Sequence, residues 1–120
     1  MDGWETRRKR TPGHDWCIIK LGGGADISHV EIDTAFFSGN YAPRASLQGA
    51  WIEDDTSLPQ PSDFNNEIGT IANKDAYAKA EAYNSDTWEH LIERTPMGAG
   101  YPETSRNYFT LAGQRACTHV

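Results

Sequence analysis

Two short stretches of the chain concentrate the side chains that could carry out chemistry. The first, residues 2–22, places Glu5, Arg7, Arg8 and His14 in a polar run that leads directly into apolar residues. The second, residues 33–40, begins with Asp33 and ends with a Ser-Gly-Asn turn. Reactive groups on a loop that a rigid strand holds in place are a common form of binding site. We therefore predict that these two loops form the functional site.

Composition limits the classes of ligand. The chain has 120 residues and a net charge of -6, and four of its 11 Lys and Arg residues are clustered at positions 7–10. An acidic chain with one small basic cluster is a poor candidate for binding nucleic acid, which favours a broad basic face. A small anionic ligand at the cluster is the better prediction. No stretch is apolar enough to span a membrane and no signal peptide begins the chain, so we expect no membrane partner and a cytoplasmic location.

Cysteine and histidine usage gives no metal pattern. Cys17 and Cys117 lie in apolar surroundings, and we expect both to be buried and reduced, with a disulfide as the alternative. His29, His90 and His119 each stand alone in the sequence, which is typical of surface or core residues. No set of His, Cys, Asp and Glu has metal-ligand spacing, so we predict neither a metal nor a cofactor.

The elements that must position the two loops are mostly strands. Alternation and turn signals predict six strands, at residues 15–21, 27–37, 45–52, 87–94, 106–111 and 117–120. Apolar groups on both faces predict that the first is buried on both sides, and the three glycines after it predict a turn. One helix is expected at residues 73–83, with Asn73 as N-cap and an Asp75–Lys79 ion pair. The spacing favours an antiparallel all-β sandwich over alternating βαβ units.

Several candidate residues have structural alternatives. Glu5 could simply form an ion pair with Arg7 or Arg8. Asp33, at the end of a strand, could accept a hydrogen bond from its own turn. His14 precedes a strand in a turn, and Asn40 follows a glycine where a turn residue is common. Trp4 is more typical of packing at the base of the loop than of a ligand platform.

Both motifs resemble the allantoicase family. The runs DGWETRRKRTPGHDWCIIKLG and VEIDTAFFSGNYAP have the family's order and spacing, and TWEHLIERTP, NYFTL and the final THV are also similar. The resemblance implies a galactose-binding-like, jelly-roll β-sandwich and the hydrolysis of allantoate to ureidoglycolate and urea. It also implies two repeats, so residues 1–120 are expected to be a part of the first, with a variable loop and helix inserted at residues 53–86. A second repeat is then an expected partner, and a homo-oligomer is an open possibility.

Within these motifs the reaction suggests roles for particular residues. Allantoate carries a carboxylate and two ureido groups, so its hydrolysis needs a group that binds the carboxylate and groups that move protons. We assign catalysis to Glu5, His14 and Asp33, and substrate binding to the residues Arg7, Arg8, Thr34 and Asn40. A non-catalytic ligand-binding module is the alternative, because fold alone does not fix function. We expect the isolated chain, lacking flanking strands, to be poorly ordered and inactive.

Overall fold

The computed structural model describes residues 3, 4, 6, 8, 10–64, 70–113 and 115–120. Its elements, in chain order, are strands β1 (Lys20–Asp26), β2 (His29–Asp33) and β3 (Arg44–Gly49), helix α1 (Lys74–Glu81), and strands β4 (Glu89–Pro96), β5 (Arg106–Thr110) and β6 (Ala116–His119). Short 3-10 helices occupy Pro61–Asp63 and Ser85–Thr87. The predicted all-β class with one short helix is confirmed. No helix in the described part of the chain is long and apolar enough to cross a membrane.

Three antiparallel strand pairs form the framework. β1 pairs with β6, β2 with β5 and β3 with β4. A bridge between Ala50 and His119 brings the end of β3 against β6. There the Ala50 amide donates to the His119 carbonyl at 3.0 Å, and the Thr118 amide donates to the Ala50 carbonyl at 2.9 Å. β6 therefore links the β1 pair to the β3 pair, while β2 and β5 form a separate ribbon.

The prediction for the first strand is wrong in its position. β1 begins at Lys20 and includes all three glycines, so the turn expected at residues 22–24 does not exist. The reason is non-local, because β1 pairs with β6 near the end of the chain. A Cβ on Gly24 would overlap the indole ring of Trp51, so the strand needs a residue without a side chain there. Cys17 is exposed, which contradicts its predicted burial, whereas Cys117 is buried and both thiols are free.

The helix prediction is confirmed, and its sequence signals all appear as contacts. The Asn73 side chain accepts a hydrogen bond from the Ala76 amide at 2.9 Å, as an N-cap does. Lys79 and Asp75 form an ion pair at 2.8 Å. Ala76 is buried, and the Tyr83 hydroxyl just beyond the helix donates to the Pro59 carbonyl at 2.8 Å. These contacts fix α1 against the long loop that precedes it.

Candidate functional site

A tight turn follows directly after β2 and contains the first predicted site residues. The Asp33 side chain accepts a hydrogen bond from the Ala35 amide at 2.8 Å, which is the turn contact considered above as the alternative role for this residue. The Phe37 amide donates to the Thr34 carbonyl at 3.0 Å and closes the turn. β2 consequently ends at Asp33, four residues before the predicted end. The bond occupies one carboxylate oxygen, and no described group bonds the other.

Thr34 anchors this turn to the loop between β4 and β5. It is 6% exposed, and its hydroxyl lies 2.8 Å from the Gly98 carbonyl and 3.2 Å from the Ser105 carbonyl. Its amide also donates to the Ser105 carbonyl, at 3.0 Å. Because the side chain is buried in these contacts, Thr34 can hold the turn in place but presents no hydroxyl to solvent.

The backbone around Phe36 is held in an unusual conformation. The φ angle of Phe36 is 71°, in the left-handed region that residues with a side chain rarely adopt, and the ring is 77% exposed. The Phe36 amide donates to the Gly100 carbonyl at 3.1 Å, and the Gly100 amide donates to the Phe37 carbonyl at 3.1 Å. A Cβ on Gly100 would overlap the Thr34 carbonyl, so the two loops interlock closely. Strain of this kind, imposed by surrounding contacts, is common at functional sites.

The outer face of the β2–β5 ribbon continues the polar surface that Asp33 begins. Asp33 lies opposite Arg106, Glu31 opposite Tyr108 and His29 opposite Thr110, and all of these residues are exposed. The guanidinium of Arg106 contacts Glu31 through Nε at 3.3 Å and donates to the Tyr108 hydroxyl through Nη1 at 3.3 Å. Tyr108, and then Glu31 and Asp33, raise the pKa of Arg106 above its ordinary value.

Sequence reasoning missed Arg106 as a functional candidate. The strand at residues 106–111 is confirmed as β5, and its alternation could have shown that Arg106 and Tyr108 share a face. What the sequence does not show is the pairing partner. Only the register of β5 with β2 places this arginine beside Asp33.

The first predicted loop lies only partly within the described residues. Glu5 and Arg7 lie outside the described residues. Arg8 and His14 are exposed, and in the part of the chain that is described no hydrogen bond or ion pair joins either of them to Asp33. Asn40 is also exposed, six residues beyond the start of the turn. The structure thus brings Asp33, Thr34 and Arg106 together, and the grouping of Arg8 and His14 with them stays a prediction.

The end of the first motif packs against α1 instead. The rings of Trp16 and Tyr77 lie 6.5 Å apart at an angle of 59°. The Ile19 and Val120 backbones exchange two hydrogen bonds, at 2.7 and 3.0 Å. Between this segment, the loop at residues 59–64 and α1 is a cleft of about 420 Å³ with predominantly apolar and aromatic walls.

His119 forms part of the floor of that cleft. It is 1% exposed, and its ring centre lies 5.8 Å from that of Tyr83 and 6.2 Å from that of Trp88. Its Nδ1 is 2.8 Å from the Thr118 hydroxyl, and its Nε2 is 3.4 Å from Asp55, which Lys20 also contacts. The hydrogen bond from Lys20 is the largest cause that lowers the pKa of Asp55. The prediction that His119 is a surface or core residue is confirmed, because it is buried in the core, and its contacts with Asp55, Tyr83 and Trp88 come from residues distant in sequence.

Among the described residues, no group of three or more His, Cys, Asp and Glu side chains could hold a metal ion. The geometry instead gives an anchored carboxylate, Asp33, beside a fixed cation, Arg106, on an accessible face. Such a pair can bind a small molecule that carries both an anionic group and hydrogen-bond donors.

Comparison with known proteins identifies the family. The family model described as the allantoicase repeat matches residues 1–120. A probable allantoicase of Acinetobacter baumannii (strain AYE) is 61% identical over 120 residues, which are 100% of this chain and 27% of the relative. A probable allantoicase of Acinetobacter baylyi is 63% identical over 72 residues, covering 58% of this chain and 22% of the relative.

A solved structure described as the structure of allantoicase agrees. It has a TM-score of 0.59 and 30% identity, and the alignment covers 97% of this chain and 30% of the solved chain. The chain spans about 27% of the length of the Acinetobacter baumannii relative. The match of the repeat over all 120 residues, together with 61% identity, shows that this chain belongs to the allantoicase family.

Proposed function

We propose that the protein hydrolyses allantoate to ureidoglycolate and urea, as an amidine hydrolase of purine degradation. The observation that carries this proposal is the match of the whole chain to the allantoicase repeat, with 61% identity to a probable allantoicase. Because the chain spans only about 27% of that relative, we further propose that a second repeat completes the enzyme.

The turn at Asp33 supports a direct role in the reaction. One oxygen of its carboxylate accepts from the Ala35 amide, which fixes the orientation of the other. A carboxylate held in this way can accept a ureido N–H or take a proton from water. Asn40, exposed just beyond the turn, is suited to a ureido carbonyl. Thr34 contributes by anchoring the turn through its two carbonyl contacts.

The first motif supplies the remaining groups in this proposal. Glu5 or His14 protonates the leaving ureido nitrogen, which must depart as part of neutral urea. Arg7 and Arg8 lie in the same motif and offer paired N–H donors for a carboxylate. The proposal requires the first motif to lie near the turn at Asp33 when substrate is bound.

The architecture that we propose is part of a galactose-binding-like jelly-roll β-sandwich. Three antiparallel pairs and the Ala50–His119 bridge are consistent with two facing sheets. Residues 53–86, with one helix and no strand in their described part, fit an insertion into that sandwich.

One observation favours a second candidate function, a non-catalytic ligand-binding module. Sugar-binding sites often use exposed aromatic rings, and Trp4 and Phe36 are 78% and 77% exposed on loops. A module of this kind would bind a sugar and would release no urea. The anchored Asp33 beside Arg106 favours a charged ligand over a neutral sugar, so hydrolysis is our first proposal.

Urea release from allantoate tests the proposal. It should be measured with the 120-residue chain and with the protein as its gene encodes it, including any sequence on either side. Asp33→Asn removes the charge of the turn carboxylate, and Asp26→Asn is the matched control because Asp26 ends the exposed strand β1.

We expect the gene-encoded protein to release urea, Asp33→Asn to lower kcat/KM by at least about 100-fold, and the control to stay within about twofold. Urea release that Asp33→Asn leaves unchanged would place the chemistry elsewhere. Binding of simple sugars without any urea release would favour the binding module.

A further inference from the structure

Arg106 is an exposed cation that contacts Glu31 and Tyr108 and lies opposite Asp33 in the β2–β5 ribbon. We propose that Arg106 binds the carboxylate of the substrate, while Asp33 accepts an N–H from one of its ureido groups. This inference rests on the proposed hydrolysis of allantoate and moves its carboxylate from Arg7 and Arg8 to Arg106, which then selects an anionic ureide over a neutral one.

The contacts of Arg106 leave part of its guanidinium unused. An arginine has five N–H donors in a planar fork. Nε faces Glu31 at 3.3 Å, and one Nη1 donor is given to the Tyr108 hydroxyl at 3.3 Å. Three donors remain, on Nη1 and Nη2, and two parallel N–H groups are what a bidentate carboxylate needs. Glu31 and Tyr108 therefore contact the guanidinium of Arg106 and leave three of its N–H donors available for a ligand.

The neighbouring carboxylate is also fixed and partly unused. One oxygen of the Asp33 carboxylate accepts a hydrogen bond from the Ala35 amide at 2.8 Å. Asp33 also lies opposite Arg106 in the β2–β5 register. Among the described residues, Arg106 forms its ion pair with Glu31 and not with Asp33, so the Asp33 carboxylate can still accept a hydrogen bond from a ligand. Side chains opposite each other in an antiparallel pair begin about 5 Å apart. That spacing suits a small molecule whose carboxylate and ureido nitrogens are attached to one carbon.

The basic cluster of the first motif is the competing site for the carboxylate. Arg8 is exposed, and no described contact orients it, whereas Arg106 has two partners in the sheet. Preorganised donors bind an anion with a smaller loss of side-chain freedom. Arg106 is therefore the better supported carboxylate-binding residue.

The alternative is that Arg106 has only a structural role, as a solvated charge paired with Glu31 on the surface of the sheet. Exposed ion pairs contribute little to stability, so in that case its replacement would change almost nothing. The two readings therefore predict different kinetic results, and only the binding role predicts a change that depends on the charge of the substrate.

The experiment compares Arg106→Gln and Arg106→Lys with Arg44→Gln, a control that removes an exposed arginine from β3 in a different strand pair. KM and kcat are measured for allantoate and for its methyl ester, which lacks the negative charge, with the gene-encoded protein. Melting temperatures establish that the variants fold.

We expect Arg106→Gln to raise KM for allantoate by about 30-fold to 100-fold, with a smaller change in kcat. The KM for the methyl ester should rise by less than about threefold, since the ester offers no carboxylate to the guanidinium. The KM of Arg106→Lys for allantoate should lie between those of the wild type and Arg106→Gln. The KM of Arg44→Gln should equal that of the wild type. If Arg106→Gln does not fold, the KM of the lysine variant decides the question by the same comparison.

Two failures are distinguishable. A wild-type protein that neither binds allantoate nor releases urea contradicts the proposed function. A wild-type protein that is active while both Arg106 variants behave like Arg44→Gln contradicts only the assignment of Arg106.

Discussion

Replacement of Thr34 by valine isolates the contact that anchors the turn after β2. Valine keeps the branched shape but removes a hydroxyl that is 2.8 Å from the Gly98 carbonyl and 3.2 Å from the Ser105 carbonyl. The Ser105 carbonyl keeps two other donors, the Thr34 amide at 3.0 Å and the Asn107 side chain at 2.8 Å. The Gly98 carbonyl is therefore the main group that loses its hydrogen bond, since no other described residue donates to it.

A fully buried carbonyl that loses its partner costs roughly 1–3 kcal/mol. The Gly98 carbonyl is part-buried, so we expect Thr34→Val to lower the free energy of unfolding by about 1 kcal/mol, the low end of that range. With an unfolding entropy of about 2.1 cal/mol/K per residue, a chain of 120 residues should melt about 4 °C lower. Because the turn also orients Asp33, urea release by the gene-encoded protein should fall in parallel.

Thermal melting followed by circular dichroism measures this effect. Thr110→Val is the matched control, since it makes the same substitution at an exposed position of β5, and it should change the free energy of unfolding by less than about 0.5 kcal/mol. A Thr34→Val variant that melts within about 2 °C of the wild type would refute the anchoring role.

Three further measurements test other parts of the structure. Phe36→Gly should be more stable than Phe36→Ala by about 1 kcal/mol, since only glycine tolerates the φ angle of 71° without strain; denaturant titration compares the two, and equal stability would argue against strain. The pKa of Asp55 is lowered in the folded state, chiefly by Lys20, so its contribution to stability is present above the ordinary aspartate pKa and is lost as pH falls through the lower, folded value. Melting temperatures between pH 5 and pH 2 should consequently fall less steeply for Asp55→Asn than for the control Asp26→Asn, and parallel profiles would contradict the Lys20–Asp55 contact. A thiol reagent should modify the exposed Cys17 well before the buried Cys117, although desolvation raises the pKa of both thiols, and equal rates would show that Cys117 is accessible.

Local signals in the sequence predicted the local parts of the fold. Helix α1 follows from Asn73 as N-cap and from the Asp75–Lys79 pair, all within seven residues, and both contacts are present. The five later strand positions were also found to within a few residues, because alternation and turn residues mark them.

The errors arise where distant residues decide the outcome. The three glycines belong to a strand because β1 pairs with β6 near the end of the chain, which no local pattern reveals. β2 stops at Asp33 because the next residues bond to the loop containing Gly98 and Gly100. A strand with three consecutive glycines reads locally as a turn, since glycine weakens strand propensity.

The candidate site shows the same division. Asp33 was identifiable as a carboxylate at a strand end, and its turn contact was foreseen as the alternative. Arg106 required the register of β5 against β2, and His119 required Asp55 and Lys20 from elsewhere in the chain. Antiparallel pairing between strands more than 70 residues apart is set by tertiary packing, so these groupings appear only in the folded structure.

NMR chemical shifts that map allantoate onto the chain decide whether the ribbon formed by β2 and β5 binds it. If the ligand binds at the ribbon formed by β2 and β5, the largest shifts should occur at residues 33–40 and 106–108, and Arg106→Gln should abolish them. Shifts confined to the cleft between Trp16 and α1, with none near Asp33, would contradict binding at the β2–β5 ribbon.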